Sequence, residues 1–228
     1  MTKKKQAASA RAPLTTEELE RLRADDFGRL KLSDDEKARL REINKARERE
    51  RVASVARIRA EESLIVAELQ AVGLKVQSVG DLINMREKYG VAIPVLLKHL
   101  QMPYSDVVKE GIARSLAVVE PEVQKAWPIL VDEYRRTPMG WGIKGPGDTT
   151  EFRLGAKDGL AFALSVVVTE ETLPELIALA KDRAQGESRV LLLSVLKRRR
   201  NTDPLAKQAI AELASDPELA KEIASWRK

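Results

Sequence analysis

Apolar residues fall at helical spacing along nearly the whole chain. The first such stretch opens at Thr15, which forms a capping-box pattern with Glu18; Leu19 and Leu22 then share a face, and Phe27, Leu30 and Leu32 follow Asp25-Asp26. Ser33 and Glu36 form a second such box. No Pro or Gly interrupts Asp34 to Val72, so the pattern predicts one helix roughly 58 Å long. Its two halves differ. DDEKARLREINKARERERVASVARIRAEE carries thin apolar positions at Leu40, Ile43, Val52, Val55 and Ile58, whereas SLIVAELQAV is apolar enough to enter a core. A helix exposed at one end and anchored at the other is expected. Gly73 reads as its C-cap, and a further helix is predicted from Ser78 and Asp81 through Tyr89, ended by Gly90.

From Val91 the pattern repeats. IPVLLKHLQMPYSDVVKEGIARSLAVV reads as a helix at Ile93 to Gln101, a turn around Pro103 and a second helix from Asp106 to Val119. The pairing returns in WPILVDEYRR with EFRLGAKDGLAFALSVVV, in LPELIALAKDR with GESRVLLLSVLKRR, and in DPLAKQAIAEL with PELAKEIASW. Pro94, Pro128, Pro174 and Pro204 sit near the start of each first helix, where a missing N–H costs little. Their separations are 34, 46 and 30 residues, the long middle one reflecting an inserted loop at 137–150.

IPVLLKHL followed by SDVVKEGIARSLAVV resembles a HEAT repeat, with a Pro-bearing first helix and a small residue near the middle of the second. The resemblance spans about Val91 to Trp226. It implies an all-α protein, a short α-solenoid of roughly four HEAT-like hairpins behind a long charged N-terminal helix. The expected organisation is a flexible basic tail and short helical segment over 1–32, the long helix and a capping helix over 33–90, and the repeats over 91–228.

Composition agrees with this picture. Aromatics make up 4% of the 228 residues, while Ala, Leu, Glu, Lys and Arg abound, which favours helices over a β-sandwich or barrel. The absence of Cys removes disulfides, thiolate zinc sites and cysteine nucleophiles, and points to a cytoplasmic protein. No apolar run approaches the roughly 20 residues of a membrane span, so no membrane partner is expected. The net charge of +5, from 40 basic and 35 acidic residues, permits nucleic-acid binding without demanding it.

The loop TPMGWGIKGPGDTT is the strongest local anomaly. Gly140, Gly142 and Gly145 match a dinucleotide-binding glycine pattern, but no strand precedes them and no helix opens at once, so that reading is rejected. Its N–H groups, Lys144 and the next helix start could receive an anion. The favoured reading is a partner-contact loop anchored by Trp141, with Tyr134, Lys144 and Arg153 as further contact residues. His99 stands without a second histidine or a cysteine, which leaves it a packing or surface role and no metal. Lys197, Arg198, Arg199 and Arg200 form the basic run that would serve nucleic acid, although cations at a helix C-terminus also suit its dipole. No base, nucleophile and charge stabiliser come together, and no cofactor motif is present. A non-catalytic protein-interaction or scaffold module is therefore expected, with a nucleic-acid-binding solenoid or an enzyme-associated subunit as alternatives.

Overall fold

The computed structural model describes residues 11–22, 26, 29–140 and 155–226. Among these are twelve α-helices and no strand. No described helix is long and apolar enough to cross a membrane. The described residues divide into two compact units, one reaching Ala56 and the other beginning at Arg57.

The first unit holds α1 (Thr16–Glu20) and the opening turns of α2 (Asp34–Ala71). Both expected capping boxes are present. Glu18 N–H donates to Thr15 Oγ1 at 3.2 Å and Thr15 N–H to Glu18 Oε2 at 2.7 Å. Ser33 and Glu36 make the equivalent pair at 2.7 and 3.2 Å. The Glu36 carboxylate also accepts the Leu14 N–H at 2.7 Å and pairs with Arg11 at 2.9 Å. The Leu14 and Ser33 backbone donors push its pKa down to about 2. Leu19 is the one buried apolar residue described in this unit, so side-chain bonds to backbone, including Arg39 to the Leu14 carbonyl at 2.9 Å, carry the rest. Along α2 the charges pair at i,i+3, as in Glu42–Lys45 at 2.8 Å and Glu48–Arg51 at 2.7 Å. Such exposed pairs stabilise a helix by only a few tenths of a kcal/mol each, ~0.2–0.5.

The second unit begins where α2 acquires a core face at Ile65 and Leu69. Gly73 ends the helix in the left-handed region at φ 94°. Its N–H reaches the Gln70 carbonyl at 2.9 Å and the Leu74 N–H reaches Leu69 at 3.1 Å, which satisfies two orphan carbonyls. The expected helix to Tyr89 is cut to one turn, α3 (Gly80–Ile83). Asp81 is bound to the Gln77 and Ser78 N–H groups at 2.7 and 3.1 Å, and the polar stretch after Ile83 offers no continuing apolar face.

The hairpin helices follow as α4 (Ile93–Leu100), α5 (Asp106–Ser115), a short α6 (Pro121–Lys125) that the pattern did not reveal, α7 (Trp127–Arg136), α8 (Ala156–Val167), α9 (Leu173–Lys181), α10 (Arg189–Arg199), α11 (Pro204–Leu213) and α12 (Ala220–Ser225). Proline occupies the first turn of α4, α6, α7, α9 and α11. Helix α4 packs on α5, α7 on α8 and α9 on α10, while α5, α8 and α10 pack in succession. The α5–α8 crossing is close because α8 carries Gly159 there. A Cβ at that position would lie 3.1 Å from the Glu110 carbonyl oxygen and 3.2 Å from the Ala113 Cβ.

Arg189 at the start of α10 is fully buried, with all five donors used. Nε donates to the Gly186 carbonyl at 3.0 Å, Nη1 to the Ala180 carbonyl at 3.1 Å and Asp216 Oδ2 at 3.0 Å, and Nη2 to Asp216 Oδ1 at 3.3 Å and to Glu218. Gly186 is in the left-handed region at φ 63°, within a 3-10 segment (Arg183–Ser188), and presents that carbonyl. The guanidinium holds the Asp216 carboxyl below its ordinary 3.8, so this contribution is present above that pH and is lost on acidification. Lysine cannot reproduce the planar fork. Arg189→Lys is expected to cost about 3 kcal/mol, lowering Tm by roughly 6–12 °C in thermal unfolding followed by circular dichroism. An unchanged Tm would show that the fork does not hold the C-terminal helices.

Candidate interaction surface

Trp141, Lys144 and Arg153 lie outside the described residues. The two glycines that flank segment 141–154 are described, and both stand against one side chain. A Cβ on either Gly140 or Gly155 would lie 2.1 Å from Asp106 Oδ2. The other carboxylate oxygen of Asp106, on the first turn of α5, accepts the Ala156 N–H of α8 at 3.0 Å. One carboxylate thus satisfies a donor at the α8 N-terminus and gathers both ends of the inserted segment.

Tyr134 is a correction to the expected contact residues. Its side chain is fully buried, and its hydroxyl lies 2.8 Å from Ser188 Oγ. Burial pushes its pKa up to about 12. The reason is the face of α7: Trp127, Leu130, Val131 and Tyr134 recur at helical spacing and all enter the core. Beside it the Lys157 ammonium is buried, donating to the Tyr134 and Thr137 carbonyls and to Gln185 Oε1, each at 2.9 Å, and lying 4.7 Å from the Tyr134 ring centre. Burial lowers the Lys157 pKa, opposed by Asp182 and Asp158.

His99 is buried, with Nδ1 2.8 Å from the Tyr104 hydroxyl. Its Nε2 lies 3.1 Å from Glu68 but is not aligned for a hydrogen bond. Among the described residues no three His, Cys, Asp or Glu side chains converge as metal ligands. The basic run is divided in its use. Arg198 donates to the Ser165 carbonyl at 3.0 Å and Arg199 pairs with Glu170 at 3.0 Å, whereas Lys197 stands 5.4 Å over the Trp226 ring and Arg200 is half-buried.

The α5–α8 face brings together residues that the sequence did not single out. Ten of the twelve α8 residues are buried, yet Phe162 is 44% exposed. It borders a groove of about 420 Å³ lined with Ile83, Met85, Tyr89, Arg114 and Val118. One helical turn earlier stands Asp158. It is 8% exposed. Burial, then the nearby charges of Glu110 and Asp106, push its pKa up to about 6; Arg114 opposes and Glu187 adds to the rise. The only sequence signal for Phe162 is a large aromatic in a helix otherwise built of Ala, Gly and aliphatic residues.

Two outcomes follow from this geometry. Gly155 has extended backbone (φ 167°), open to any residue, so space for Asp106 is its requirement. Gly155→Ala and Asp106→Ala should each cost about 1–2 kcal/mol, and the double variant little more than either, in urea unfolding. Additive costs would refute the shared contact. The second outcome concerns Asp158, whose folded pKa of about 6 exceeds the ordinary 3.8. The native state then binds the proton more tightly, so it loses stability as pH rises from about 4 to about 6. Asp158→Asn should match the wild-type Tm below about pH 4 and exceed it above about pH 6 in calorimetry. Parallel curves through that window would show a carboxylate with ordinary titration. No protein-family model, curated protein or solved structure matches this chain.

Proposed function

We propose that this chain is a non-catalytic protein-interaction module, its hairpins stacked as a HEAT-like α-solenoid with α5, α8 and α10 forming one layer. The order of packing supports the stacked arrangement, since α4, α7 and α9 each lie on the second helix of their hairpin, and α5, α8 and α10 pack on one another in turn. The observation that carries the functional reading is Phe162. Helix α8 buries nearly every other side chain, yet it leaves an aromatic in solvent beside an apolar groove. Large aromatics at the rim of a pocket are the residue type that dominates protein interfaces.

Nucleic-acid binding is the weaker reading. Lys197 stacked on Trp226 beside Arg200 supports it, but Arg198 and Arg199 are turned to partners within the chain. The interaction reading is tested with Phe162→Ser. Because the side chain is exposed, Tm should fall by no more than about 2 °C. Proteins captured by the chain from extracts of its host should be depleted at least ten-fold, measured by quantitative mass spectrometry; undiminished capture by the variant would remove the groove from the contact surface.

A further inference from the structure

We infer that the pocket between α11 and α12 takes an acidic and apolar peptide segment, an aliphatic or aromatic side chain entering beside Trp226 while neighbouring carboxylates meet Arg200 and Lys207. This surface is separate from the groove at Phe162 and adds a second contact to the interaction module. Its first support is the lining of the pocket. Lys207, Ile210, Ala211 and Ala214 fall at i, i+3, i+4 and i+7, one stripe of α11, whereas Ala206, Ala209 and Leu213 of the same helix are buried. With Ile223 and Trp226 of α12 and Arg200 at the end of α10, that stripe borders a pocket of about 300 Å³. Ile223 is buried, Ile210, Ala214 and Trp226 are half-buried, and Lys207 is exposed. The site therefore combines apolar surface with two cations.

The second support is the balance of charge. The carboxylates of residues 201–226 are all engaged inside the chain. Asp203 accepts the Leu205 and Ala206 N–H groups, Glu212 pairs with Lys181, Asp216 and Glu218 pair with Arg189, and Glu222 accepts the Trp226 indole N–H at 2.7 Å. Among the described residues no carboxylate lines the pocket, and Lys197, Arg200 and Lys207 have none within ion-pair reach. Lys197 adds its charge from above the Trp226 ring, 5.4 Å from its centre, and the sequence continues with Arg227 and Lys228. A free inorganic anion would leave the apolar lining unused. Nucleic acid fits less well, because Trp226 has Lys197 over its ring and its N–H on Glu222, while Arg198 and Arg199 are turned to partners within the chain. A carboxylate beside an aliphatic or aromatic side chain meets both the cations and the apolar lining.

The test selects peptides from a random twelve-residue display library on the immobilised full chain. The selected peptides are then synthesised and titrated against wild type, the double variant Arg200→Gln with Lys207→Gln, Ala211→Gln at the exposed edge of the pocket, and Phe162→Ser. Enriched sequences should carry Asp or Glu within four positions of an aliphatic or aromatic residue. They should bind the double variant and Ala211→Gln at least about ten-fold more weakly, lose affinity as salt is raised, and bind Phe162→Ser as they bind wild type. The substituted side chains lie at the surface, so each Tm should stay within about 2 °C of wild type, which separates lost recognition from lost folding. Peptides that lack acidic residues and ignore the double variant would overturn the assignment. Peptides that respond to Phe162→Ser alone would also overturn it, while leaving the groove at Phe162 standing. A twelve-nucleotide oligothymidine that binds more tightly than every selected peptide, and is lost in the double variant, would overturn the peptide in favour of nucleic acid. Self-association in sedimentation that the double variant abolishes would overturn it in favour of a second copy of the chain.

Discussion

The second unit depends on one buried cation, the ammonium of Lys157. A lysine in the first turn of a helix meets the wrong end of that helix's dipole, and a buried one also loses its hydration. Both penalties are offset only because its three donors are met, two of them by the Tyr134 and Thr137 carbonyls at the end of α7. That is the end at which a cation is favourable. The third bond, to Gln185, reaches the 3-10 segment that leads into α10, and Gln185 in turn donates to Asp182 at 2.7 Å. Lys157 therefore fixes α8 against α7 and α10 together. Asp106 fixes the same end of α8 against α5.

With its N-terminus set by two such contacts, the rest of α8 has little freedom. It packs on α5, α7 and α10, and the sides facing them carry Gly159, Leu160, Ala161, Ala163 and Leu164, small where α5 comes close. The remaining stripe belongs to Asp158, Phe162 and the half-buried Val166. Phe162 is exposed because the other faces of its helix are filled. Three aspartates show how far the surroundings, not the residue type, decide the chemistry. Asp216 meets a complete guanidinium fork and is held ionised, Asp106 accepts a helix N–H, and Asp158 is buried beside the charges of Glu110 and Asp106, which raise its pKa.

Much of the local structure was legible in the sequence because it is set by neighbours in the chain. Thr15 with Glu18, Ser33 with Glu36, Gly73 and the first-turn prolines all read correctly, each being a backbone requirement met within a few residues. Faces were harder. The run from Ala156 to Val167 is apolar almost throughout, so periodicity cannot say which residue is left in water. Tyr134 was misplaced although its spacing from Trp127 and Leu130 was available, because the nearby Gly-rich loop drew it into a contact role. The buried role of Arg189 has no local signal, since its partners Asp216 and Glu218 come from a distant part of the chain. Pairings across such distances have no sequence period to betray them.

Net charge says little about the site. A sum of +5 permits contact with polyanions without demanding it, and that sum is dispersed over many exposed groups, several already paired with carboxylates. Beyond about 10 Å at ordinary ionic strength such dispersed charges are screened. What a partner meets at contact is the local field. Around Asp158 that field includes the charges of Glu110 and Asp106 and is partly shielded from water, where charges interact more strongly than at the open surface. Burial among like charges makes the ionised form of Asp158 costly to the folded state.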